Sequence, residues 1–243
     1  MSTATVLPAV PAPPPATTPP PTLIDLVRYL RPGQRIAVTE VTWEDYERLL
    51  VWRDEYRRTA RLTYDHGRLE IMVLSGTHER WRKVLALLVE AWLEVTGGEY
   101  VPSGQLTHKR KDLERGFEPD ESYYVQNWRK VAGLRELDFT KDPPPDFTIE
   151  VEVSRSVLGR LPVFAAFKIP EVWRYDGEKI TVLLLRPNGE YQESAASLAV
   201  PNFPFAEVPQ FLALVDDPAT SFAEIGRRFR AWVRALPPAA PPA

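Results

Sequence analysis

Acidic side chains lie in two segments of the chain where packing alone would not select them. Asp120 precedes an aromatic, strand-like run, and residues 146–153 alternate apolar and polar side chains in the pattern of a β-strand. Because side chains alternate between the two faces of a strand, Glu150 and Glu152 are predicted to share one face. Neighbouring carboxylates repel each other unless a cation lies between them or one of them holds a proton.

A divalent cation would satisfy this arrangement, because Mg²⁺ (or Mn²⁺) prefers the hard oxygen ligands that carboxylates supply. We therefore predict that Asp120, Glu150 and Glu152 ligate such an ion. An ion held in this way can activate water and polarise a phosphodiester. Without the ion, Asp120→Asn is expected to relieve repulsion in the cluster. The structural alternative is that Glu-X-Glu forms the solvated face of an amphipathic strand and that Pro-Asp is an ordinary dipeptide.

The elements that position these residues are predicted from periodicity and capping. Apolar side chains recur at helical spacing from Trp81 to Val95, which predicts a helix that begins at Ser75 or Thr77 and ends at Gly97-Gly98. The pattern also predicts a helix after the N-cap Thr42 and a hairpin of Ala60–Asp65 and Arg68–Leu74. Further strands are predicted over 99–102, 105–110, 118–125, 146–153, 171–175 and 179–185. Further helices are predicted over 127–131, from Ser156 or Gly159 to Phe167, and over 220–234. This mixture predicts the α/β (α+β) class, with a central mixed β-sheet flanked by helices.

Composition limits the class of protein. Of the 243 residues, 44% are hydrophobic and 26% are charged, which is typical of a globular protein. Pro, Ala and Thr dominate residues 1–21, so we predict that this segment and the tail 237–243 are disordered around one domain of residues 22–236. The absence of Cys excludes disulfides and thiolate metal sites. We find no apolar run of membrane-spanning length and no signal peptide, so the expected location is the cytoplasm.

Longer strings resemble one family. Leu113–Asn127 closely resembles the PD motif of Uma2-like proteins, the DUF820 group, and residues 144–156 look like their second motif strand. Leu161–Gly177 resembles the helix and strand that follow, and Tyr64–Met72 and His78–Arg80 resemble the N-terminal hairpin and the start of the next helix. The similarity runs in the right order from about Ile36 to Leu214.

The resemblance implies a restriction-endonuclease-like fold and a Mg²⁺-dependent endonuclease that acts on DNA. Asp120 matches the motif Asp, and Glu150 matches the first acid of the (D/E)XK element. Glu152 departs from the pattern because it stands where the superfamily has Lys. Arg160 falls where many Uma2-like chains carry a Lys on the next helix. Arg stays charged and transfers protons poorly, but it can hold a phosphate or a carboxylate.

Two further residues are candidates for the site. His78 could face the site as a proton carrier, or it could simply pack on the core at the start of its helix. Glu70 could complete the acid cluster, or it could be an exposed strand position. The net charge of −3 means that a nucleic-acid site must be a local patch. The basic groups at 57–61, 109–111 and 227–230 could each contact phosphates, although such runs are commonly solvated faces.

Three functions remain open at this point. The first is a DNA endonuclease, which the two-fold symmetry of duplex cleavage would suit as a homodimer. The second is a catalytically inactive nuclease fold that binds nucleic acid or a protein partner. The third is a structural module that forms homo-oligomers.

Overall fold

The strands form two sheets in the part of the chain that the computed structural model describes, residues 22–152 and 159–237. The first sheet has six strands in the order β11-β10-β9-β8-β7-β4. In this sheet β8 and β9 are parallel and the other neighbouring strands are antiparallel, so the sheet is mixed. Its strands are β4 (Val101–Pro102), β7 (Glu121–Tyr124), β8 (Phe147–Val151), β9 (Glu171–Tyr175), β10 (Ile180–Leu185) and β11 (Tyr191–Ser194).

The second sheet is antiparallel, with five strands in the order β1-β3-β2-β6-β5. Alternation gives β2 one face that packs on the core, with Leu62 and Tyr64, and an opposite face that carries Arg61 and Thr63. The strands of this sheet are β1 (Arg35–Val38), β2 (Ala60–Asp65), β3 (Arg68–Val73), β5 (His108–Arg110) and β6 (Arg115–Phe117).

The helices begin at side-chain caps that the sequence makes recognisable. Thr42 is the N-cap of α2, as the sequence predicts, and it forms a reciprocal capping box with Asp45. Ser75 caps α3, which ends at Gly97 in the left-handed conformation that favours glycine. The helices are α1 (Leu23–Tyr29), α2 (Trp43–Glu55), α3 (Gly76–Thr96), α4 (Trp128–Val131), α5 (Leu161–Ala166), α6 (Val208–Leu212) and α7 (Phe222–Ala235).

Each sheet has its own apolar layer. The buried stripe of α3 packs on the six-stranded sheet together with α6 and α7. Residues of α1 and α2 cover the core face of the five-stranded sheet. A third, smaller cluster lies around Phe117 of β6 and Phe164 of α5. This arrangement leaves the polar face of β2 and the Thr148–Glu150 face of β8 to meet around a cluster of buried charges.

The structure confirms the predicted α/β (α+β) class with a mixed sheet and packed helices. The sequence did not predict α1, β1, β6, β11, α6 or the division into two sheets. The segments 1–21 and 238–243 and the alternative helix start at Ser156 lie outside the described residues, so the predictions there remain predictions. None of the described helices is both long and apolar enough to cross a bilayer.

Gly116 provides a test of packing between α2 and the second sheet. A Cβ at this position would lie 2.8 Å from ring carbons of the buried Tyr46. We therefore expect Gly116→Ala to destabilise the protein by about 1–3 kcal/mol through overpacking. Gly76→Ala is the matched control, because no atom lies within 4 Å of its added Cβ. Urea unfolding measures both changes, and equal stabilities for the two variants would contradict the packing.

His108 predicts a dependence of stability on pH. Its ring is fully buried and stacked between Phe117, at 4.6 Å, and Phe139, at 4.1 Å between centroids. Burial lowers the pKa of His108 from 6.5 to about 4, even though its contact with the carbonyl of Leu106 favours protonation. Neutral His108 therefore stabilises the fold above the unfolded-state pKa, and this contribution is lost as pH falls from about 6.5 to about 4.

The expected loss across this window is roughly 3 kcal/mol relative to His108→Phe, which has no ionisable ring. The measurement is the free energy of unfolding of both proteins between these two pH values. A difference between them that stays constant with pH would show that His108 does not titrate in this way.

Candidate active site

Asp120 immediately precedes β7, and Glu150 lies on the neighbouring strand β8 of the six-stranded sheet. Glu121 of β7 pairs with Ile149 of β8, so Asp120 and Glu150 are each one residue from this pair. The backbone N–H of Val151 donates to Asp120 Oδ2 at 2.6 Å, which fixes the carboxylate against β8. Asp120 is 1% exposed and Glu150 is 3% exposed. The two acids that the sequence singles out are thus brought together and buried.

Two arginines provide the positive charge beside these acids. Arg61 of β2 forms an ion pair with Asp120, and Arg160, immediately before α5, forms one with Glu150. The second terminal nitrogen of Arg160 donates to the carbonyl of Glu118 at 2.5 Å. The sequence led us to expect that the carboxylates of Asp120 and Glu150 repel each other. In the structure each of them instead has a guanidinium partner.

Burial dominates the electrostatics of Glu150 and Arg61. Desolvation raises the pKa of Glu150 to about 7; Arg160 and Arg61 oppose the rise, and Glu152 adds to it. Desolvation likewise lowers the pKa of Arg61 to about 10, which still leaves it charged at neutral pH. Within the described part of the chain, Glu150 Oε1 is buried without a hydrogen-bond partner. Such an acceptor is costly, and it marks the place where a ligand would be accommodated.

His78 lies at the site. It is 1% exposed in the first turn of α3, and its Nε2 is 3.2 Å from Asp120 Oδ2. Burial lowers the pKa of His78, which favours the neutral ring at neutral pH. In its neutral form the ring can donate one hydrogen bond to Asp120 and so fix the orientation of that carboxylate.

Glu70 lies on the same face of the second sheet as Arg61. It is buried, and its Oε1 is 3.1 Å from Arg35 Nη1 of β1. Arg35 also opposes the rise in the pKa of Glu150, so this pair lies within electrostatic reach of the cluster. Glu70 is therefore not the exposed strand position that the sequence left open.

Glu152 lies at the rim of the cluster. It follows the last residue of β8, its side chain is 29% exposed, and its Oε2 is 3.9 Å from Arg174 Nε. Its backbone N–H donates to the carbonyl of Tyr175 at 2.8 Å. Its effect on the pKa of Glu150 shows that it lies within electrostatic reach.

Sequence reasoning missed the pairing of Arg61 and the presence of Arg35. The signal for Arg61 was the alternation in β2, which puts it on the opposite face from Leu62. Arg61 was assigned instead to a basic group with Arg57 and Arg58. A charged residue inside an otherwise core-forming strand is a better indication of a buried partner.

The donor chemistry permits a divalent cation. Among residues 22–152 and 159–237 no group of three His, Asp or Glu side chains is arranged to hold a metal ion. Mg²⁺ sites, however, commonly use one or two carboxylates and complete the shell with water and phosphate oxygens. Asp120 and Glu150 supply two such carboxylates, and Glu150 Oε1 lacks a partner among these residues. The pair fits Mg²⁺ or Mn²⁺, and Glu152 as a third ligand remains a prediction.

The ion pair between Arg61 and Asp120 leads to a prediction about the stability of a variant in which residue 120 is neutral. Asp120→Asn removes the ion-pair partner of the buried Arg61, so we expect a loss of roughly 3–5 kcal/mol in the free energy of unfolding. The exposed pair between Lys111 and Glu44 is the control, and Glu44→Gln should cause no measurable change. Denaturant unfolding without metal tests both. Greater stability of Asp120→Asn would show instead that repulsion dominates the cluster.

Comparison with known proteins agrees with the family resemblance of the sequence segments. Residues 43–218 match the model of the Uma2 family, whose description is "Putative restriction endonuclease". Among solved structures, the chain is similar to a crystal structure described as "a putative nuclease belonging to DUF820" from Anabaena variabilis ATCC 29413, with 16% identity and a TM-score of 0.41. That alignment covers 69% of this chain and 90% of the other. No curated protein matches. Because the family model spans more than half of the sequence, the chain belongs to the Uma2 family.

Proposed function

We propose that this chain is a metal-dependent endonuclease that hydrolyses phosphodiester bonds in DNA. The observation that carries the proposal is the buried pair of Asp120, immediately before β7, and Glu150, on the neighbouring strand β8, in a chain that belongs to the Uma2 family. The unpartnered oxygen of Glu150, within the described residues, supports the same conclusion.

Asp120 and Glu150 would hold Mg²⁺ or Mn²⁺, with Glu152 at the rim as a further ligand or as the residue that orders the water of the ion. When bound, the ion supplies Lewis acidity and lowers the pKa of water. The ion would also supply the positive charge beside Asp120 and Glu150 that Arg61 and Arg160 provide in its absence.

The other side chains position these groups. His78 orients Asp120 through Oδ2, since its Nε2 lies 3.2 Å away. Glu70 and Arg35 form a buried pair that adds to the charge balance around Glu150. Arg160 is anchored on the carbonyl of Glu118 and contacts Glu150, and its Nε has no hydrogen-bond partner in the described part of the chain. Arg160 would therefore steady the scissile phosphate, and its constant charge makes it unsuited to proton transfer.

A catalytically inactive nuclease fold that binds nucleic acid or a protein partner is the second candidate. The observation that favours it is that guanidinium groups already contact both acids. The resemblance to the family points the same way, because Glu152 stands where the superfamily has Lys and Arg160 falls where many Uma2-like chains carry Lys instead. Metal binding separates the two functions, because the inactive module does not need it.

The first test is cleavage of supercoiled and linear DNA with Mg²⁺ or Mn²⁺. We expect wild type to cleave and Asp120→Asn and Glu150→Gln to lose cleavage, because each removes the charge of a proposed ligand. Arg160→Ala should lower kcat by about a hundredfold, as for other donors that stabilise developing charge, while metal binding persists. Glu44→Gln is the matched control, since it neutralises an exposed acid outside the cluster.

Calorimetric titration with Mn²⁺ provides a readout that is independent of cleavage. Wild type should bind the ion and gain about 2.7 kcal/mol of stability at a hundredfold excess over the Kd. Glu150→Gln provides a second ligand variant besides Asp120→Asn. Each substitution removes the partner of a largely buried arginine, Arg61 or Arg160, so circular dichroism verifies that both variants are folded. Equal Mn²⁺ binding by wild type and both variants would exclude these acids as ligands. If wild type binds DNA but neither cleaves it nor binds Mn²⁺, the result would support the inactive module.

Two further features remain predictions. A homodimer would relate two sites by a two-fold axis and so suit cleavage of both strands. Light scattering at micromolar concentration tests this assembly. The cytoplasmic location is likewise a prediction.

A further inference from the structure

The two carboxylate oxygens of Asp120 have different partners. Oδ2 accepts from the backbone N–H of Val151 at 2.6 Å and lies 3.2 Å from Nε2 of His78. Oδ1 lies against Nη1 of Arg61, with which it forms the ion pair. Because Oδ2 is already held by two groups, Oδ1 is the oxygen that remains for a metal ion. Arg61 therefore occupies the position from which an ion would bind Asp120.

Glu150 is accessible to an ion in a way that Asp120 is not. Arg160 contacts Glu150 through Oε2, whereas Oε1 has no hydrogen-bond partner in the described part of the chain. Arg160 is also anchored, because its Nη2 donates to the carbonyl of Glu118 at 2.5 Å. An ion can thus bind Oε1 of Glu150 while Arg160 stays in place. Binding to both acids, however, requires Arg61 to move.

The guanidinium of Arg61 is held weakly for a buried group. Among residues 22–152 and 159–237, its Nε and Nη2 are buried without a hydrogen-bond partner, and its ion pair is the one with Asp120. Desolvation lowers the pKa of Arg61, and the charges of Glu150 and Glu79 oppose this effect. Two unsatisfied buried donors are costly, so little holds Arg61 in place once an ion takes Oδ1 of Asp120.

A cleft with an excess of acidic groups lies beside Arg61. The cleft has a volume of about 380 Å³ between α2, β2 and α3, and Arg61 and Glu79 both contribute to its lining. Two arginines at or next to this cleft are each shared between two carboxylates: Arg53 by Asp54 and Glu118, and Arg82 by Glu79 and Glu121. A further guanidinium would therefore meet favourable charge there.

Glu79 is the carboxylate of the cleft that is best placed to receive Arg61. It lies in the first turn of α3, and its side chain is 36% exposed. Desolvation raises the pKa of Glu79, but its contacts with His78 and Arg82 and the charge of Arg61 hold it below its usual range. Arg61 and Glu79 are thus within electrostatic reach of each other.

We propose that Arg61 has two positions and thereby sets the metal affinity of the site: it pairs with Asp120 in the absence of the ion and turns to Glu79 when the ion binds. The ion and Arg61 exchange places at Oδ1 of Asp120, so Arg61 has a carboxylate partner in both states. The free energy of moving Arg61 reduces the apparent affinity for the ion. This inference rests on the proposed function, because it concerns the ion assigned to Asp120 and Glu150.

Calorimetric titration of Mn²⁺ into protein stripped with EDTA measures this exchange. Arg61→Met removes the guanidinium and keeps an unbranched side chain in its place. We expect the variant to bind Mn²⁺ roughly tenfold more tightly than wild type, because the ion no longer displaces a charge-assisted contact. Arg58→Met is the matched control. It makes the same change on an exposed arginine that lines the same cleft, and its Kd should equal that of wild type.

Glu79→Gln tests the second position of Arg61. Loss of the carboxylate that receives Arg61 should weaken Mn²⁺ binding by roughly fivefold, the contribution of a partly exposed ion pair. Asp54→Asn neutralises another acid of the cleft and is the control. In the Arg61→Met background, Glu79→Gln should have no effect, because no guanidinium remains to be received. A general effect of charge at residue 79 would instead weaken binding in both backgrounds.

The folding of each variant is verified by circular dichroism and thermal melting. Arg61→Met leaves Asp120 without its arginine, so this variant can fail to fold. In that case the comparison of Glu79→Gln with Asp54→Asn decides, since both variants keep the pair between Arg61 and Asp120. Equal Kd values for these two variants would then overturn the exchange.

The outcomes distinguish failure of the exchange from failure of the proposed function. Tighter binding by Arg61→Met, with an effect of Glu79→Gln that disappears in the double variant, supports the exchange. If wild type binds Mn²⁺ and Arg61→Met binds it no more tightly, or if the effect of Glu79→Gln persists in the double variant, the exchange is overturned and the metal-dependent function stands. Binding by Arg61→Met but not by wild type supports the exchange and favours the inactive module. Absence of binding by both overturns the exchange and the metal-dependent function together.

Discussion

The ion pair between Arg61 and Asp120 is the interaction on which the rest of the site depends. Helices cover the apolar face of each sheet, and the polar faces of β2 and β8 meet each other. Charges buried between these polar faces are stable only if they are paired. Arg61 belongs to one sheet, and Asp120 precedes a strand of the other. The pair therefore joins the two sheets at the place where His78, Glu150 and Arg160 converge. A ligand that changes one of these charges acts on the junction of the two sheets.

Local patterns were sufficient to predict the elements that carry the acids. Alternation in residues 146–153 predicted β8, and the helical spacing from Trp81 to Val95 predicted α3. β1 and β11 were missed because they are short edge strands, whose pairing with β3 and β10 is decided by the neighbouring strand rather than by their own sequence. The division into two sheets was missed for the same reason, since it depends on contacts between distant segments.

The candidate site was predictable to the same extent. Asp120 and Glu150 were identified from their motifs, and their adjacency follows from the pairing of β7 with β8. Glu152 was expected to share the face of Glu150, but β8 ends at Val151, and beyond a strand the two-residue period no longer fixes direction. Arg61 was not assigned to Asp120 because that contact spans the two sheets, and no local pattern encodes it.

The close approach of Gly116 to Tyr46 has a consequence for the variation of this sequence. Tyr46 stacks on Tyr64 at 5.0 Å between ring centroids, and its ring fills the space that a side chain at position 116 would need. The two positions therefore share one volume. A larger residue at 116 should be tolerated where position 46 has a smaller one, so substitutions at the two positions should be correlated among related sequences. Such a correlation would connect the segment that resembles the PD motif, which contains Gly116, with α2, which contains Tyr46, although the two residues lie far apart in the chain.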